Sequence, residues 1–150
     1  VCGHEHFVTY VVRRELLDEK MKFGDTNNWT ESKIRKYLNE DYVRVIQEEF
    51  GNGNIVAFER DLISSDGYND YATCVDKVSM MNIFEYMKYH KYIGDCDYRY
   101  ALITPDSTPS GCGADGVRYV CDVGRVGCCW CSSDFGVRPF FVLKSSIFVS

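Results

Sequence analysis

Between Cys96 and Phe135 the chain contains no lysine, glutamate, glutamine or methionine. Residues 1–95 carry seven Lys and nine Glu, so a window of that length would hold about seven of the two together at the same density. Solvent-facing β structure is ordinarily rich in Lys and Glu, and their absence asks for a cause other than folding. Further absences narrow the function. Acidic and basic residues are interspersed without a basic stripe, and the net charge of −5 with a pI near 5.2 argues against tracking a phosphate backbone. The longest apolar stretches, Pro139 to Leu143 and Ile55 to Phe58, fall far short of the ~20 residues that span a bilayer. The opening CGHEH has no apolar signal-peptide core. A soluble chain is expected, with neither nucleic acid nor direct membrane insertion among its interactions. No Gly-rich phosphate loop follows a strand, and no nucleophile, base and orienting group form a recognisable set, so neither catalysis nor a cofactor is expected.

What is present suffices for a real core: 150 residues, 45% hydrophobic and 15% aromatic, with no tandem repeat or low-complexity linker. One domain over residues 1–150 is expected. FVTYVV, residues 7–12, reads as a first strand. NWTESKIRKYLN, residues 28–39, has cap candidates Asn28 and Thr30 and apolar positions Ile34, Tyr37 and Leu38 at helical spacing. With Trp29 these form the face expected to pack on a sheet. DYVRVIQEEF ahead of Gly51 predicts a second helix, NIVAFERDL an extended segment, and SSDGYND a turn. Ser79 is the cap candidate for a third helix, MMNIFEYMKYH. Beyond Gly94 the pattern turns to short strands: RYALIT, VRYVCDV and GVRPFFVLK. Helices first and strands last predict an α+β domain, two or three helices on short antiparallel sheets, with the terminal strands paired.

The Lys-free window also holds six of the eight cysteines, Cys96, Cys112, Cys121, Cys128, Cys129 and Cys131. Cys128 and Cys131 have C-x-x-C spacing, but a strong zinc signal needs a second such pair, and Cys112 and Cys121 sit at irregular distances. His4 and His6 could share a strand face and ligate a metal, but a solvated terminus is the favoured reading and they are not named as ligands. A disulfide framework needs an oxidising compartment and close Cα pairs, and adjacent Cys128 and Cys129 would point to opposite sides of a strand. The calcium-lectin motifs E-P-N, Q-P-D and W-N-D are absent, and Tyr68, Asn69 and Asp70 only echo the last.

A codon-level cause fits the composition better. Randomising both adenines of AAC or AAT codons yields fifteen residue types and can never yield Lys, Glu, Gln, Met or Trp. Trp130 is the window's single exception and is therefore expected to be fixed, pointing into the scaffold. The segments NNWTESKIRKYLNEDY, NIVAFERDLISSDGYNDYATCVDKVSMM, LITPDSTPSG, VRYV and FGVRPFFVLK resemble the C-type-lectin-fold variable proteins of diversity-generating retroelements. The likeness spans nearly the whole chain and is most specific in Trp29–Asn39 and in GVRP, residues 136–139, although a related lectin-fold domain of gut bacteria and phages has both.

The resemblance implies a C-type lectin fold, residues 1–95 mostly scaffold and 96–135 a diversified ligand-binding region. It implies a non-catalytic receptor-binding or display protein on a virion tail or microbial cell surface, with a protein or surface ligand that differs between copies. The diversified positions it points to are Asp97, Arg99, Asp106, Cys112, Asp115, Cys121, Arg125, Cys128, Cys129, Cys131, Ser133 and Asp134. Interspersed fixed residues are Leu102, Thr104, Pro105, Val117, Arg118, Tyr119, Trp130 and 136–139. On a strand Cys129, Cys131 and Ser133 are expected to share the exposed face. The alternative is a lectin-fold domain with one fixed protein or carbohydrate partner and no diversification.

Overall fold

The computed structural model describes residues 8–148. Cys2, His4, His6 and the first residue of FVTYVV lie outside the described residues. The strands in chain order are β1 (Val8–Val12), β2 (Met21–Lys22), β3 (Ile55–Val56), β4 (Phe58–Asp61), β5 (Thr73–Asp76) and β6 (Val78–Ser79), followed by β7 (Tyr100–Pro105), β8 (Gly116–Val120), β9 (Val126–Trp130), β10 (Asp134–Phe135) and β11 (Phe140–Lys144). The α-helices are α1 (Lys33–Tyr37), α2 (Val43–Phe50) and α3 (Ile83–Ile93). The result is an α+β architecture of helices packed against antiparallel sheets.

The two ends of the described chain meet in one sheet. β1 runs antiparallel to β11 from Val8 opposite Lys144 to Val12 opposite Phe140. The other edge of β11 pairs with β3 at Leu143 and Val142 and with β6 at Phe141 and Phe140. A strand with partners on both edges and cover on both faces needs a continuous apolar run, and the first four residues of FFVLK are all buried. A second sheet, ordered β7-β8-β9, is antiparallel throughout, and two-stranded sheets join β2 to β10 and β4 to β5.

The two helices expected between residues 28 and 50 form one nearly continuous helical run. Asn28 caps a short 3₁₀ turn, Trp29–Glu31, by accepting from the Thr30 N–H, and Ser32 caps α1 by accepting from the Arg35 N–H. A π turn over Leu38–Tyr42 then joins α1 to α2. Its extra residue explains the interrupted pattern: Ile34 and Leu38 are four apart, Leu38 and Val43 five apart, and Val43 and Ile46 three apart, yet all four are buried. Trp29, Ile34 and Leu38 are wholly buried and Tyr37 packs at the margin of the same core. Trp29 also donates its indole N–H to Asp76 Oδ2 at 2.7 Å, and Arg35 Nε reaches Asp76 Oδ1 at 2.6 Å, tying the helical run to β5.

The third helix begins later than the Ser79 cap implies. Asn82 is the cap, and it forms a capping box with Glu85. Ser79 is buried and accepts from Arg60 Nε at 3.0 Å, while the Arg60 guanidinium also pairs with Glu85.

GVRP has a structural role. Arg138, 1% exposed, donates to the carbonyls of Arg13, Arg14, Ile93 and Gly94 and to the Tyr100 hydroxyl. It thereby fastens the segment after β1 to the C-terminus of α3, where carbonyls without helical partners favour a cation.

Candidate functional site

The second sheet carries a cleft whose floor is set by a missing side chain. In β8 and β9, Gly116 lies opposite Trp130, Val117 opposite Cys129, and Arg118 opposite Cys128. Paired residues share a sheet face, so Gly116, Arg118, Cys128 and Trp130 lie on one side and Val117 and Cys129 on the other. Val117 is fully buried in the main core, and this determines which side is inward. Trp130 is 66% exposed, and Cys128 is exposed beside it.

On the other side of Gly116, the Asp106 N–H donates to the Gly116 carbonyl at 2.9 Å. A Cβ on Gly116 would lie 2.8 Å from Cys128 Sγ, 3.2 Å from Asp106 Cβ and 3.6 Å from Asp106 Oδ2. Glycine therefore lets Cys128 and Asp106 close down over the strand at this point, and the cleft beside them, about 380 Å³, is also lined by Ser107, Cys112, Gly113, Asp115, Cys129 and Trp130.

The scaffold holds the cleft backbone through Asn27, which is fully buried. Its amide donates at 2.8 Å to the carbonyls of both Ser107 and Gly116, its backbone N–H donates to the Ala114 carbonyl at 2.8 Å, and its Oδ1 accepts from the Tyr71 hydroxyl at 2.6 Å. The SSDGYND turn supports the adjoining loop, since Asp70 Oδ2 accepts the Ser110 N–H at 2.9 Å. That bond holds the Asp70 carboxyl below the usual carboxylate range.

Charge inside the cleft is one-sided. Asp106 and Asp115 are its ionisable carboxylates. Arg118 stands beside the cleft, but its guanidinium already bonds Asp106 Oδ1 at 2.5 Å and Ser65 Oγ at 3.0 Å. Partial burial, and then the Asp106 carboxylate, push the Cys128 thiol above its ordinary pKa. The seven described cysteines are free thiols, and no group of three or more His, Cys, Asp or Glu among the described residues could hold a metal ion.

Of the twelve positions singled out from the sequence, Asp106, Cys112, Asp115 and Cys128 come together here, while Cys129 borders the cleft but turns its side chain toward the main core. Asp97, Arg99 and Cys121 line a separate concavity of about 360 Å³ with Tyr98, Tyr119 and Asp122. Arg99 is constrained there: Nε donates to the Asp134 carbonyl at 3.0 Å and the guanidinium lies 5.5 Å from the Phe135 ring centroid. Arg125 is exposed in the turn closed by Gly124, whose φ of +82° suits glycine. Ser133 Oγ is 3.2 Å from Cys129 Sγ, and Asp134 is exposed on β10 opposite Lys22.

Two expectations about the cysteine cluster are corrected. Cys131 is 5% exposed and belongs to the main core, its N–H donating to the Asp115 carbonyl at 2.7 Å and its carbonyl accepting from the Gly24 N–H at 3.2 Å. It cannot present its side chain to a ligand from that position. Trp130, expected inside, is outside, so the exposed face is that of Cys128 and Trp130 rather than that of Cys129 and Cys131. The Lys-free window is also not uniformly surface, because all six residues of β7 are buried. Sequence reasoning passed over Gly116, Ser107 and Tyr98 as site residues. Only Tyr98 carried a signal, being an aromatic between two selected positions.

No protein-family model, curated protein or solved structure matches this chain.

Proposed function

We propose that the chain is a non-catalytic ligand-binding protein with a C-type lectin fold, whose face on the β7-β8-β9 sheet differs between copies through adenine-directed rewriting by a retroelement. The observation that carries the reading is that four positions selected from sequence alone, Asp106, Cys112, Asp115 and Cys128, line the open side of one cleft on a backbone held from the scaffold by Asn27. The pairing of β1 with β11 supports the lectin fold, and the missing Lys, Glu, Gln and Met support the codon mechanism. Trp130 becomes informative in this reading. Its TGG codon holds no adenine, so it is a constant aromatic anchor among varying neighbours, a suitable arrangement for binding partners that change. The partner is a protein or surface ligand met from a virion tail or microbial cell surface.

Deep sequencing of the 3′ end of the gene across a population tests the proposal. Substitutions are expected at codons for the cleft and the second concavity, all at adenines of a near-copy beside a reverse transcriptase gene, with Trp130 and the buried β7 and β11 codons constant. A uniform 3′ end, or changes spread evenly over codon positions and buried strands, would refute it.

A further inference from the structure

The cleft's chemistry selects a class of ligand group, and this step rests on reading the cleft as the binding face. Asp106 Oδ1 holds Arg118, and its Oδ2 lies over Gly116 beside the Cys128 thiol at the cleft wall. Asp115 is exposed, and its carbonyl accepts the N–H of the residue after Trp130, which places the aspartate at the same end of β9 as the exposed indole. The lining therefore combines two carboxylates, an open indole face and uncharged walls of Cys112, Cys128 and Gly113, with no cation among its residues. Asp106 is already neutralised by Arg118, so Asp115 carries the uncompensated charge: an anion would be repelled by it, and a neutral apolar group would desolvate it without compensation. A planar cation answers both features, because a guanidinium stacks on an indole and presents a fork of N–H donors to a carboxylate.

The geometry points to a pocket for an arginine side chain displayed by a partner protein, its guanidinium over Trp130 and bonded to Asp115, with its edge toward Asp106 Oδ2. The net charge of −5 favours the approach of such a basic surface. Because neighbouring positions differ between copies in the proposed function, the arginine preference belongs to this chain's own set of side chains.

The two tryptophans make the test internal to the molecule. Trp29 is fully buried with its indole N–H on Asp76, whereas Trp130 lies open in the cleft. Indole N–H resonances of ¹⁵N-labelled protein would be followed while acetyl-Gly-Arg-Gly-amide is added, with lysine, citrulline and glutamate peptides as comparisons. A single anchor residue should bind with a dissociation constant on the order of millimolar. The expected result is a saturable shift of the Trp130 resonance with the arginine peptide, none with citrulline or glutamate, and an unmoved Trp29. Asp115→Asn should weaken the response about tenfold, the loss of one charged hydrogen-bonding partner, with the Trp29 resonance reporting an intact fold. A silent Trp130, an equal response to lysine or citrulline, or an Asp115→Asn protein that binds as before would overturn the assignment. An arginine-responsive Trp130 in a protein whose gene is uniform would sink only the diversification reading, and varied codons with a silent Trp130 would sink only the arginine pocket.

Discussion

Exchanging the expected roles of Trp130 and Cys131 yields a pair of substitutions with opposite effects. Cys131 lies at 5% exposure in the cluster that includes Phe23, Trp29, Val117 and Phe135. Cys131→Asn adds an amide to a region whose polar backbone atoms are already occupied, since the residue's own N–H and carbonyl bond Asp115 and Gly24. An unpaired buried amide costs about 1 to 3 kcal/mol, and the extra heavy atoms in a filled core cost a similar amount. The combined loss is then about 2 to 6 kcal/mol, which for a domain of this size lowers the melting temperature on the order of 10 °C. Trp130→Ala removes a larger side chain, but one that is 66% exposed, so little apolar burial disappears and the cost stays within about 1 kcal/mol. Thermal melts followed by far-ultraviolet circular dichroism compare both variants without relying on tryptophan emission. A Trp130→Ala protein that melts as early as Cys131→Asn, or a silent Cys131→Asn, would refute the assignment of the two faces. The triple replacement of Cys128, Cys129 and Cys131 by Asn should likewise unfold at lower temperature, with Cys131 responsible.

Asn27→Ala should destabilise by roughly 2 to 4 kcal/mol in a denaturant titration, because the buried Ser107 carbonyl and the Gly116 carbonyl both lose their amide donor. Arg138→Met should cost about 3 to 5 kcal/mol, since four carbonyls and the Tyr100 hydroxyl lose a donor together; a melt within a degree of wild type would show that the latch is dispensable. Burial pushes the Tyr100 phenol up to about 12. The neutral form is the one stabilised by folding, so this contribution is complete below the unfolded value near 10 and is lost as pH rises toward 12. Tyr100→Phe should flatten the fall in stability across that window, and an unchanged slope would remove Tyr100 as its source. Thiol alkylation at pH 8 followed by peptide mapping should label exposed Cys112 first, Cys128 more slowly because its thiol is shifted up, and Cys131 last; Asp106→Asn should speed Cys128 specifically.

Local order was legible where it depends on near neighbours in the chain. The strands at 8–12 and 140–144, the helical face of Trp29, Ile34 and Leu38, and the cap at Asn28 all follow from periodicity and side-chain chemistry, which act within a few residues. The fused helical run was not, because a π turn costs one residue of register and its benefit lies in keeping Val43 and Ile46 against a core built from distant strands. The late start of α3 has the same origin: Ser79 is as good a cap as Asn82 in isolation, but Arg60 engages it from 19 residues away.

For the cleft, the alternation of a strand by itself placed Cys128 with Trp130 and apart from Cys129. It could not say which set faces water. That choice belongs to the tertiary structure, because period two divides side chains into two sets and only the apolar surface packed against the sheet makes one set inward. Here Val117, paired with Cys129, meets the main core, so Trp130 turns outward. The composition of residues 96–135 marked a region subject to something besides folding. Which members of it touch one another was decided by strand pairing, by the side chain Gly116 lacks, and by Asn27, whose hydrogen bonds reach 80 and 89 residues along the chain.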